Sequence, residues 1–108
     1  EDTFAYVNGH LDASINQVAV LDALKNHNSE YLYFKTDHHW TADGAYYAYK
    51  ELMKAKGMTP SPLTDYTKSE YPGFVGSFYQ YSNQSETLKN NPDTVVAPIQ
   101  MDNRYRDM

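Results

Sequence analysis

Hydrophobic and polar positions alternate with helical spacing most clearly between Thr41 and Gly57. Ala45, Ala48, Tyr49, Leu52 and Met53 fall on one face at that spacing and predict a buried stripe. Thr41 is placed to cap the first turn, Asp43 suits the positive end of the helix dipole, and Lys54 and Lys56 suit the other end. Gly57 and then Pro60 give the stop signal. Just before this helix, Tyr31 to Thr36 is short, aromatic-rich and almost continuously apolar, which predicts a strand covered on both faces. An earlier apolar stretch around Val18–Leu24 predicts a short helix over 17–26, ended by the polar run Lys25 to Ser29.

The rest of the pattern is weaker. Residues 1–15 are mixed, with a turn signal at Asn8-Gly9. Thr59 to Pro62 reads as a linker-like turn, 66–71 as extended, Pro72-Gly73 as a turn and Val75 to Tyr79 as the start of a short helix. The polar segment 83–92 predicts an exposed loop. Thr94 to Ala97 predicts a second strand, ended by Pro98. Strand, polar turn and amphipathic helix make half of a βαβ unit, so the expected class is α/β. The 108 residues allow one domain or part of one. The last residues, Asn103 to Met108, do not read as the natural end of a domain.

Composition narrows the function classes. Fourteen acidic against nine basic residues give a net charge of −5, which argues against nucleic acid and anionic membranes as partners. With no cysteine, disulfides, thiolate metal sites and a cysteine nucleophile are excluded. No segment approaches the roughly 20 apolar residues of a membrane helix, and Glu1-Asp2-Thr3 does not start a signal peptide. The 11 tyrosines suit either a half-wet α/β interface or a surface that meets sugars.

The chemistry concentrates in Asp37-His38-His39-Trp40, at the predicted junction of strand and helix, where sites form in open α/β sheets. In extended backbone Asp37 and His39 point the same way and His38 the opposite way. Asp37 then accepts a hydrogen bond from one ring N–H of His39, which fixes the tautomer and leaves the other nitrogen as a base. His38 becomes a supporting or substrate-contacting residue, and Trp40 walls the site or packs beneath the turn. Structural roles compete: a carboxylate that caps the turn, histidines as plain loop residues, Trp40 as a core plug. A metal site is a third reading, but ligands normally come from separated positions, and His10 and His27 have no evident partners. No metal and no cofactor is expected.

The run from Tyr33 to Ala45 closely resembles the bacterial DHHW family, which is similar to SGNH-hydrolase-like polysaccharide O-acetyltransferases of the alginate type. Asp37, His39, Trp40, Thr41, Gly44 and Ala45 match the pattern of those relatives, and Phe74 to Tyr79 also looks like a family segment. The resemblance implies an SGNH-hydrolase-like sheet with flanking helices, present here as a fragment. It implies an exported enzyme at the cell surface or envelope, a polysaccharide substrate, an acyl donor and a membrane-associated acyl-transfer partner. Asp37 and His39 would be its catalytic half-triad, with the matching Trp40 and Thr41 in support; His38 occupies the variable position of the pattern, and the resemblance leaves its role open. A Gly-Asp-Ser nucleophile motif is absent from the sequence. Ser77 follows Gly76 but lacks the aspartate, so the resemblance does not make it that nucleophile. The alternative is a non-catalytic carbohydrate-binding or surface-interaction module.

Overall fold

The computed structural model describes residues 3–100; the C-terminal residues Asn103 to Met108, whose sequence reads as no natural end, lie outside them. The order of elements is α1 (Thr3–Gly9), α2 (Val20–Asn26), α3 (Ala42–Ala55), a 3₁₀ turn (Leu63–Asp65), β1 (Tyr66–Phe74), α4 (Ser77–Tyr81), α5 (Glu86–Lys89) and β2 (Asp93–Gln100). The result is a small α/β arrangement in which helices accompany a two-stranded antiparallel sheet. The helices at 20–26, 42–55 and 77–81 and the strands over 66–74 and 93–100 follow the expectations in kind. Helix α1 and the short α5 were not foreseen.

The main correction concerns Tyr31 to Thr36. This segment is no strand; only a single antiparallel bridge, Tyr33 to Trp40, forms there. Phe34 N donates to His39 O at 3.3 Å and Thr41 N to Leu32 O at 2.8 Å. Residues 32–41 are therefore a bent, hairpin-like loop, with Asp37 and His38 at its tip. An apolar run of this length is compatible with more than one backbone path, and here side-chain anchors at the tip decide it.

Helix α3 begins as expected. Thr41 Oγ1 accepts from Gly44 N at 3.2 Å and itself donates to Tyr31 O at 2.8 Å. Gly44 lets the helix lie against the loop: a Cβ there would stand 2.5 Å from Leu32 O, which already accepts from Thr41 N. Gly44→Ala is expected to destabilise the fold by about 1–3 kcal/mol through overpacking. That outweighs a gain in helix propensity of up to about 1 kcal/mol. Equilibrium denaturation with urea reads the sign; a more stable alanine variant would contradict the close approach. The predicted stripe is only partly covered, since Leu52 is exposed.

The apolar core is small. Leu24 of α2 and Leu32 of the loop are the buried hydrophobic side chains among the described residues. Polar ties do much of the rest. Asn16 Nδ2 donates to Ala55 O, Tyr46 OH to Ser61 O, and Ser61 N to Tyr49 OH. Several of the tyrosines thus work as half-buried struts on α3.

In the sheet, Tyr66 pairs with Gln100 and Pro72 with Thr94, and a bulge between Pro72 and Phe74 brings Phe74 opposite Asp93. The expected turn at Pro72-Gly73 is instead this bulge, with Gly73 at φ +88°. Pro98 does not end β2; it pairs with Lys68. Lys68–Pro98 and Pro72–Thr94 are four residues apart along β1, so they share one phase of the ladder. Two prolines at one phase are consistent with their missing N–H facing away from the partner strand, where it removes no bond.

Candidate functional site

Asp93 is the anchor on which the site is built. It opens β2 and is almost completely buried. Its Oδ1 accepts from Lys35 N at 3.0 Å and from the Tyr31 hydroxyl. Its Oδ2 accepts from Thr36 N at 2.8 Å and from Thr36 Oγ1 at 2.6 Å. Burial alone pushes this carboxyl upward, but the hydrogen bonds from Thr36, Tyr31 and Lys35 outweigh it and hold it below the ordinary aspartate range. The same burial and the neighbouring carboxylate raise the Tyr31 hydroxyl above its usual value.

Thr36, fully buried, passes the constraint on. Its Oγ1 accepts from Gly76 N at 3.0 Å and its carbonyl accepts from Phe78 N at 2.9 Å. The loop tip is thereby fastened to the start of α4.

Asp37 lies against that start. Its Oδ1 accepts from Ser77 N at 2.7 Å, and its Oδ2 accepts from His39 N at 2.9 Å and from His39 Nδ1 at 2.6 Å. The α4 N-cap, Gly76, offers no side-chain acceptor; Asp37 supplies one from 39 residues earlier in the chain. A Cβ on Gly76 would lie 2.3 Å from Asp37 Cβ, so only glycine fits there. The Ser77 N–H leads in holding Asp37 well below the usual carboxylate range, against the upward push of burial; His39 adds to the effect.

The ionised Asp37 accepts the Nδ1 proton of His39. In the neutral ring Nε2 then carries the lone pair. The His39 side chain is 66% exposed, and its Nε2 has no partner among the described residues. Asp37 and His39 thus meet as the sequence predicts, though for a different reason. The backbone at the tip is bent, and Asp37 bonds the amide two residues on, as in an Asx-turn.

His38 departs from expectation. It does not point away from His39: the two rings lie 3.9 Å apart, tilted by 39°. Both the backbone N–H and Nδ1 of His38 reach Ser77 Oγ, at 3.1 and 2.6 Å. Trp40 is neither plug nor floor; it is 41% exposed beside the 54%-exposed Tyr33, its bridge partner. Thr41 is buried at the α3 cap and does not face solvent.

Asp37, His38 and His39 each offer a potential metal-ligating atom, all within 4.8 Å of one another. Carboxylate and imidazole suit zinc. However, Asp37 already accepts three hydrogen bonds and both Nδ1 atoms are engaged, which leaves the Nε2 atoms as the open donors.

Sequence reasoning missed Asp93 and Thr36 as anchors, and missed what Ser77 contacts. The signal available for Ser77 was its place in the Phe74–Tyr79 segment.

The comparisons agree with the motif. A comparison with curated proteins finds no match. Among solved structures the chain is similar to the crystal structure of a DHHW family protein from Eubacterium siraeum DSM 15702, at 36% identity and a TM-score of 0.85. The match covers 92% of this chain and 32% of that one, so the chain spans about a third of the length of that relative. The family profile described as DHHW protein matches residues 2–104. With the loop geometry and both matches in agreement, the chain belongs to the DHHW protein family.

Proposed function

We propose that this chain carries the general-base half of an acyl-transfer site, of the kind found in SGNH-like O-acetyltransferases and esterases. The observation that carries the reading is the 2.6 Å bond between His39 Nδ1 and a buried, ionised Asp37, with the far side of the ring open to solvent. Asp37 orients the imidazole and stabilises it when protonated. His39 Nε2 removes the proton of an attacking hydroxyl and returns it to the leaving oxygen. A sugar hydroxyl of a cell-envelope or extracellular polysaccharide is the acceptor that the family resemblance suggests, with an acyl ester, delivered by a membrane-associated partner, as the donor.

The test is turnover of p-nitrophenyl acetate by the intact protein. His39→Ala is expected to lower it by roughly 100- to 10,000-fold, the usual contribution of a positioned base. Undiminished turnover in that variant would sink the reading.

A carbohydrate-binding role without catalysis is the second reading, favoured by the exposed Tyr33–Trp40 pair beside His39. Adjacent exposed aromatic faces suit sugar rings. Calorimetric binding of oligosaccharide that survives His39→Ala but is lost with Trp40→Ala, in a protein without esterase activity, would favour it.

A further inference from the structure

We infer that Ser77 is an acyl-carrying nucleophile and that His38 is its own base, distinct from His39. The inference rests on the acyl-transfer reading above and adds the group that reading lacks. Ser77 Oγ accepts the His38 backbone N–H at 3.1 Å, which leaves its proton free to point at His38 Nδ1, 2.6 Å away. The serine is rigidly placed. Its amide is bonded to Asp37, its predecessor Gly76 is pinned to Thr36, and Phe78 N is bonded to Thr36 O. In the tautomer that carries its ring proton on Nε2, His38 Nδ1 accepts from this hydroxyl, and the pair has the geometry of an activated nucleophile.

The two imidazoles divide the work. In loading, Ser77 Oγ bonds to the acyl carbon of the donor ester and the bond to the donor's alcohol oxygen breaks. The serine proton passes to His38 Nδ1 and from there to the departing alkoxide. In unloading, His39 Nε2 takes the proton of the acceptor hydroxyl, whose oxygen bonds to the acyl carbon. Ser77 Oγ leaves and takes from His39 Nε2 the proton that the acceptor gave up. Ring centroids 3.9 Å apart allow both histidines to serve one acyl group. The amides flanking Ser77 are already committed to Asp37 and Thr36, so the rate comes from the bases and not from these donors.

A fluorophosphonate probe tests this on the intact protein: Oγ bonds to phosphorus, fluoride leaves and the proton goes to His38. Peptide mapping by mass spectrometry is expected to place the adduct on Ser77. Labelling should vanish in Ser77→Ala, slow by roughly 100-fold in His38→Ala, and lose less in His39→Ala than in His38→Ala, since His38 is the base for this step. Because the adduct is mapped on the unaltered protein, poor folding of a variant does not decide the matter. An unlabelled Ser77, or an adduct elsewhere, overturns the inference. If Ser77 is labelled while His39→Ala keeps full ester turnover, the inference holds and the base assignment of His39 fails. If turnover needs His39 while Ser77 stays unlabelled, the reverse is true.

Discussion

Replacing Asp37 with alanine is expected to reduce ester turnover by about 10,000-fold, the order of loss that removing the orienting aspartate causes in serine hydrolases. The variant leaves Ser77 N and His39 N without their acceptor and frees the His39 ring. Asp37→Asn should be less damaging. At the Oδ2 position the amide oxygen can still accept both His39 donors, and the amide nitrogen then opposes only Ser77 N. Asparagine at 37 is therefore expected to keep the His39 tautomer, lose the α4 cap and retain more turnover than alanine does. Kinetics on the two variants read the order directly, and the opposite order would contradict the bonding scheme. Acid acts on the same bonds. The folded-state carboxyl of Asp37 is depressed, so its contribution to stability is fully present above the ordinary aspartate value of 3.8. It fades as pH falls toward the lower folded-state value.

Asp93 should behave differently at the same pair of substitutions. Both of its oxygens receive two donors, so neither orientation of an asparagine amide avoids facing two of them. Asp93→Asn is expected to lose roughly 2–6 kcal/mol, counting two stranded donors at about 1–3 kcal/mol each, and Asp93→Ala, which removes the acceptor of all four, at least as much. For a fold whose buried apolar side chains are few, that is a large share of the stability. Chemical denaturation measures the loss. An asparagine variant within about 0.5 kcal/mol of wild type, the range of an ordinary surface change, would show that Asp93 does not hold the loop.

What the sequence made legible was local. Helix α3 was readable because its cap, first-turn acid and glycine stop lie within one stretch. The Asp37–His39 pair was readable because its partners are two residues apart. The loop at 31–36 was misread as a strand because its shape is set by Asp93, 57 to 62 residues away, and nothing within the run records that. Ser77 escaped for the same reason: its partners, Asp37 and His38, lie 40 and 39 residues earlier. Among the described residues the sheet has two antiparallel strands, and helices accompany it.

The bulge at Gly73 has a consequence for strand pairing. Phe74 and Asp93 face each other at one end of the ladder, so both jaws of the clamp on Thr36 are attached to that end. A slip of one residue would carry Asp93 about 3.3 Å along the strand, beyond reach of the Thr36 donors. The extra residue pins the alignment. Misaligned hairpins therefore cannot assemble the loop tip, and correct registry becomes a precondition for function.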